Sequence, residues 1–144
     1  GYDGRVYVLM GDGEQPKGQI AEARRLIAAR KLTSVTALID VNDIQISGRC
    51  GDVMPAHIKE LWEADGWQTL LCDGDSFAEL YVALKAARAA GRPTAILCRT
   101  TMGKGVSFMS NSVDWHGKGP NDDEYKVAME ELNAAYAALE QEEK

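Results

Sequence analysis

Short apolar runs alternate along this chain with stretches of helical period. Val6–Met10 is a continuous apolar run of strand length, read as a buried strand. Gly18–Arg30 follows, with Ile20, Ala23, Ile27 and Ala28 near the helical spacing and charge on the other side. Val35–Ile39 is a second β-rich run. Pro55 then opens "AHIKELWEADG", a helix predicted to stop at Gly66. Trp67–Leu71 returns to strand. Asp75 or Ser76 caps a helix through Ala90, with Gly91 as its stop. Thr94–Cys98 is the fourth strand. Thr100–Asn121 is a long irregular stretch, and Asp122 or Asp123 begins a last helix with Tyr125, Ala128, Met129, Leu132 and Tyr136 on one side. The tail "EQEEK" is expected to fray.

Strands alternating with helices imply parallel pairing through right-handed crossovers. The expected fold is α/β, a three-layer, mostly parallel sheet with helices on both faces. Ligands of such sheets bind beyond the carboxyl ends of the strands. The unusual residues stand there: Asp12 after the first strand, "DVNDIQISG" after the second and "RTTMGKG" after the fourth.

Composition narrows the classes. With 144 residues, 45% hydrophobic, the chain suits one domain over residues 1–144 and not two. A net charge of −6 without a basic face sets nucleic-acid binding aside. No run approaches the ~18 apolar residues of a membrane span. The three cysteines include no CxxC pair, and Cys72 and Cys98 end apolar runs, so buried free thiols in a reducing, cytoplasmic setting are expected. The first residue is not Met, and a core strand is reached within about five residues. This reads as a piece of something longer, or a chain whose front part is missing.

The carboxylate of Asp12 stands between Gly11 and Gly13 at the end of a core strand. Residues 14–41 hold one crossover helix and one strand, so neighbouring strands bring Asp12 and Asn42 to one sheet edge. Carboxylate and amide oxygens are hard ligands that suit Mg²⁺, which takes few ligands from protein and completes its shell with water or phosphate. A backbone carbonyl from "NDI" adds a third oxygen and a diphosphate the remainder. Gly11 and Gly13 allow backbone N–H groups close to that diphosphate, and the helix starting near Gly18 turns its positive end the same way. Taken singly, Gly-Asp-Gly is a common turn and Asn42-Asp43 an ordinary loop. A dinucleotide site competes, with Asp40 as the ribose-binding acid. Its fingerprint needs glycine at position 16, where Pro16 stands.

"GDGEQPKGQIAEA" followed by "LIDVNDIQISG" resembles the thiamine-diphosphate motif, and "TTMGKG" with "DWHGKGPN" is similar to the later part of that domain in transketolases, especially the split, two-subunit kind. The resemblance runs from Arg5 to about Asn121. It implies the thiamine-diphosphate-binding fold, with this chain as part of the diphosphate-binding domain. It implies that the Asp12 and Asn42 side chains and the Ile44 carbonyl hold Mg²⁺ or Ca²⁺, that Gly13 donates its N–H to the diphosphate, and that Ile46 packs on the cofactor. His116 is implied near the diphosphate and the reacting carbon, bonding the donor's oxygens and helping to move a proton. His57 has no such context and is read as a surface or packing residue.

The implied activity is two-carbon ketol transfer between ketose and aldose phosphates. Two departures stand out. Lys17 occupies a position where the family carries a glutamate that helps link the two sites of a dimer, whereas Glu22 matches the second such acid. The usual Asp-Gly-His-Asp is Asp73-Gly74-Asp75-Ser76 here. The activating glutamate of the family lies in a pyrimidine-binding domain that this chain does not contain. A partner is therefore implied, a C-terminal transketolase subunit with that domain, in a dimer or higher oligomer and inert without it. The other readings are a non-catalytic remnant or assembly module of the same fold, a deoxyxylulose-phosphate synthase-like enzyme, and a nicotinamide-binding domain.

Overall fold

Four apolar runs pair side by side in the computed structural model, which describes residues 4–142. They are β1 (Val6–Gly11), β2 (Val35–Val41), β5 (Gln68–Asp73) and β6 (Thr94–Arg99), all parallel in the order β1-β2-β6-β5. β1 and β2 outrun the predicted strands because main-chain pairing continues past the apolar side chains, to Gly11↔Asp40 and Val41↔Arg99. Those extra residues carry the strands up to the Asp12 and Asn42 loops.

Side chains alternate across the sheet. On one face Met10, Ile39, Ala95 and Leu97 meet α1 (Gly18–Ala29) through Ile20 and Ile27, and α3 (Ile58–Ala64) through Ile58 and Trp62. On the other, Cys72, Ile96 and Cys98 meet Ala83 and Ala87 of α4 (Phe77–Ala89). Cys72 and Cys98 stand in register, buried, with free thiols. The layers are therefore helix, sheet, helix.

Several local expectations need correction. Pro55 precedes its helix without entering it, and α3 starts at Ile58. Its start follows the apolar pair Ile58 and Trp62, one turn apart, rather than the proline. Between β2 and α3 lie a two-residue hairpin, β3 (Ile44–Gln45) with β4 (Gly48–Arg49), and the short α2 (Cys50–Val53). Elements this short show no period in a sequence. The last helix, α5 (Asp122–Glu142), is capped by Asn121. Asn121 Oδ1 accepts the N–H groups of Asp123 (3.0 Å) and Glu124 (2.9 Å), and the Glu124 carboxylate accepts the Asn121 N–H at 2.8 Å. α5 persists through the acidic tail to Glu142, since Glu and Gln are good helix formers; Glu143 and Lys144 lie outside the described residues. Of its predicted apolar side only Ala128 is buried, and Tyr125 and Tyr136 are exposed.

One ion pair lies beneath the site. Arg24 is 4% exposed, and its Nε reaches Asp65 Oδ2 at 2.5 Å. Its carbonyl accepts the Trp67 indole N–H (2.9 Å), and its guanidinium stacks over Trp62, 5.6 Å from the ring centroid. Trp62 and Trp67 meet edge to face at 4.6 Å. Burial raises the Asp65 carboxyl's pKa, but the Arg24 and Arg25 guanidiniums outweigh it and hold the group below its ordinary value.

The folded Asp65 ionises at lower pH than the unfolded one. Its contribution is thus complete above the ordinary carboxylate range and is lost as pH falls through and below about 4. Asp65→Asn leaves Arg24 buried with no charged partner at Nε. Urea titrations are expected to show a loss of about 3 kcal/mol at pH 7 and a flatter profile between about pH 5 and 3.

Candidate functional site

The turn after β1 is built around a buried carboxylate. Gly11 leaves the strand extended, Asp12–Glu14 form one 3₁₀ turn, and Asp12 is only 5% exposed. Asp12 Oδ2 accepts the backbone N–H groups of Asn42 (3.0 Å) and Asp43 (2.6 Å). Oδ1 accepts the Gly13 N–H (2.8 Å) and the Cys50 thiol (3.3 Å). One side chain thereby ties the end of β1 to the loop after β2 and to the start of α2.

Gln15 fixes the turn from behind. It is 4% exposed, its amide nitrogen donates to the Gly11 carbonyl (3.1 Å), and its oxygen accepts the Trp62 indole N–H (3.0 Å). Glu14 Oε2 accepts the Gly11 N–H at 3.0 Å, and this bond chiefly lowers the Glu14 carboxyl, with Lys17 adding to it. Lys17 Nζ lies 3.3 Å from Glu14 Oε1.

The loop after β2 is equally ordered. The Asn42 amide oxygen accepts the Ile44 N–H at 2.9 Å, and Asp43 takes a left-handed turn at φ 62°. Ile44 is buried, whereas Ile46 is 69% exposed at the rim. The hairpin is linked to the Thr100–Asn121 stretch, where the Arg49 guanidinium donates to the Asn111 carbonyl (3.3 Å). His116 follows the short 3₁₀ turn Val113–Trp115. Trp115 is held against Phe108, with ring centroids 5.0 Å apart, and under Lys118, whose Nζ is 4.1 Å from its ring centroid. Gly117, at φ 93°, leaves no room for a side chain: a Cβ there would stand 2.8 Å from Ile46 Cδ1.

These segments enclose one cleft of about 450 Å³. Gly11, Asp12, Gly13, Asn42, Ile44, Ile46 and His116 all line it, beside Glu14, Lys17, Asp40 and Gln45. Every residue singled out for cofactor or metal from the sequence thus meets at one place, while His57 lies exposed at the start of α3. One expectation changes in detail. The Gly13 N–H, expected to serve a diphosphate, donates to Asp12 instead. Gly13 contributes clearance, since a Cβ there would meet Gln45 at 2.9 Å.

The donor set fits a hard cation shared with a phosphate. Among the described residues no three His, Cys, Asp or Glu side chains converge as an all-protein cage requires. One carboxylate, one amide oxygen and a backbone carbonyl form the partial oxygen shell that Mg²⁺ uses beside phosphate. The Asn42 oxygen has a second lone pair beyond the bond to Ile44. The weakest donor on Asp12 is the Cys50 thiol, the one most easily displaced by a cation. Burial, then Asp12, pushes that thiol up to about 12, so it remains a neutral donor.

The sequence reading did not find Gln15, Cys50 or Thr100, and it gave Asp40 a different part. The Asp40 oxygens accept the Asn42 side-chain amide and the Thr100 hydroxyl, so neither is free for a ribose. The one available signal was Trp62, whose buried indole N–H needs an acceptor. Among the described residues no helix is long and apolar enough to cross a membrane.

Comparison with known proteins points the same way. The family described as "Transketolase, thiamine diphosphate binding domain" matches residues 2–139. One of the two subunits of an apulose-4-phosphate transketolase from Phocaeicola vulgatus is 36% identical over 142 residues, covering 97% of this chain and 50% of that protein. A 6-deoxy-6-sulfo-D-fructose transketolase subunit from a Clostridium species is 35% identical over 129 residues, covering 88% and 47%. The chain therefore spans about half the length of these relatives. The crystal structure of a transketolase from Campylobacter jejuni superposes with a TM-score of 0.85 at 30% identity, over 91% of this chain and 21% of that one.

Removing the buried carboxylate should loosen the loop that it ties down. In Asp12→Ala the Asn42 and Asp43 amides lose a charged acceptor worth about 1.5–3 kcal/mol. Their hydrogen exchange is expected to quicken by about tenfold or more while amides of β6 stay protected, as read by mass spectrometry or NMR.

Proposed function

This chain belongs to the transketolase thiamine-diphosphate-binding family, and from that premise we propose that it supplies the diphosphate- and metal-binding half of a two-carbon ketol-transfer site. The observation that carries the reading is the convergence of Asp12 and Asn42, from two neighbouring strand ends, in one cleft with Ile44, Ile46 and His116. We read the chain as one domain, part of the diphosphate-binding domain of a longer or multi-subunit enzyme.

In this reading the Asp12 carboxylate, the Asn42 amide oxygen and the Ile44 carbonyl hold Mg²⁺ or Ca²⁺, which neutralises a diphosphate in the cleft. Thiamine diphosphate, when bound, supplies the carbon nucleophile for breaking and making a carbon–carbon bond between ketose and aldose phosphates. The chain's own residues do the rest. Ile46, half out of the rim, offers an apolar surface to the ring system. His116 hydrogen-bonds substrate oxygens and carries a proton to or from them. Lys17 sets a cation at the mouth of the cleft, paired with Glu14, where the family carries an acid. A basic group there does not support the proton connection between sites that the acid provides.

Relatives named as single subunits of a transketolase support a second chain, a C-terminal transketolase subunit carrying the pyrimidine-binding domain, in a dimer or larger assembly. Two relatives of nearly equal identity are named for different sugars, so the substrate class is put no finer than sugar phosphates and their analogues. Three free thiols suit the reducing cytoplasm.

Calorimetry tests the reading directly. Thiamine diphosphate titrated into the chain with excess Mg²⁺ should give saturable heat that disappears with EDTA and in Asp12→Ala. Ketol transfer should appear only after the partner chain is added. Absence of binding by the wild type would favour a remnant that keeps the fold without the cofactor. Turnover by the chain alone would refute the need for a partner.

A further inference from the structure

Asp40 closes β2 two residues before Asn42 and is half-buried on the wall of the cleft. The Asn42 side-chain nitrogen donates to Asp40 Oδ2 at 3.2 Å. The Thr100 hydroxyl donates to Asp40 Oδ1, and the Thr100 N–H donates to the Val41 carbonyl at 3.2 Å. Asp40 is thus gripped from β6's continuation on one side and grips Asn42 on the other.

This arrangement decides which way the Asn42 amide faces. The two ends of an asparagine amide are nearly the same shape, and a half-turn exchanges a lone-pair donor for an NH₂ group. An ionised carboxylate can only accept, so it admits the NH₂ end and refuses the oxygen. The oxygen is turned the other way, where the Ile44 N–H meets it at 2.9 Å. A flipped amide would put two like ends together at both contacts. It would also present N–H dipoles where a cation has to be met.

We infer that Asp40, steadied by Thr100, is the positioning residue that locks the Asn42 oxygen toward the cation. The inference rests on the reading of Asn42 as a metal ligand. It gives Asp40 a part in metal affinity without direct contact with the metal, and it gives Thr100, far along the chain, a part through Asp40. Groups that orient metal ligands typically change affinity by about 10–100-fold when removed.

Two substitutions separate orientation from charge. In Asp40→Leu the acceptor is gone and the Asn42 amide is free to turn. In Asp40→Asn the charge is gone, but an oxygen remains to accept from Asn42 while the new NH₂ group donates to the Thr100 oxygen. Mg²⁺ is titrated calorimetrically into the full chain with saturating thiamine diphosphate, and the Asn42 side-chain NH₂ signals are followed by ¹⁵N NMR without metal. Expected results are a rise of about tenfold or more in the half-saturating Mg²⁺ for Asp40→Leu and less than about threefold for Asp40→Asn. The NH₂ protons should be protected from exchange in the wild type and in Asp40→Asn. Equal weakening in both variants would mean charge rather than orientation and would overturn the inference, as would unchanged affinity in Asp40→Leu. If Asp40→Leu does not fold, Asp40→Asn alone decides, by its retained affinity and protected NH₂ signals or by their loss. A wild type that binds neither Mg²⁺ nor thiamine diphosphate removes the reading of the site itself, a result distinct from any difference between variants.

Discussion

The Asp12 carboxylate, pinned by four donors, is the constraint on which the rest of the site depends. Its partners come from three places: the Gly13 amide beside it, the Asn42 and Asp43 amides after β2, and the Cys50 thiol at the start of α2. A buried ionised carboxylate is costly unless every oxygen is satisfied. Burial therefore makes the charge an organiser: the loop after β2 has to come to it. The same contacts turn the Asn42 side chain and the Ile44 backbone toward the cleft. The charge remains available to a cation because the weakest of its donors is a neutral thiol.

The sheet makes that meeting possible at long range. Parallel pairing of β1 with β2, in the register Gly11↔Asp40, ends both strands at one level. β6 stands on the far side of β2 and ends one register step later, at Val41↔Arg99, which brings Thr100 beside Asp40. Beneath, the Arg24–Asp65 pair and the two tryptophans anchor α1 and α3 to one face, and Gln15 extends that anchoring to the Asp12 turn through Trp62. Core and site are in this sense one hydrogen-bonded and packed unit.

The sheet itself was legible because its strands are apolar runs between clear punctuation, Gly66 and Gly91 among it. The convergence of Asp12 and Asn42 was legible because topology alone brings neighbouring strand ends together. What failed to show were features that depend on partners distant in sequence or on very few residues. Asp40 bonded to Thr100 requires the β2–β6 register, which no local pattern encodes. Gln15 reads as an ordinary polar residue until Trp62 is known to point at it. The β3–β4 hairpin has two residues in each strand, too few for alternation. The start of α3 was misread because Pro55 is a strong signal for a helix start, while the apolar pair Ile58 and Trp62 sets where the helix packs.

The contact between Gly117 and Ile46 has a consequence for adaptability. The missing side chain on one loop is filled by the methyl end of a residue on another, at the rim rather than in the core. The His116 imidazole next door thus takes its height above the floor from the bulk of an isoleucine that performs no chemistry. Evolution, or an engineer, could retune the reach of that imidazole toward shorter or longer sugars by trimming or enlarging position 46, leaving the reactive groups untouched.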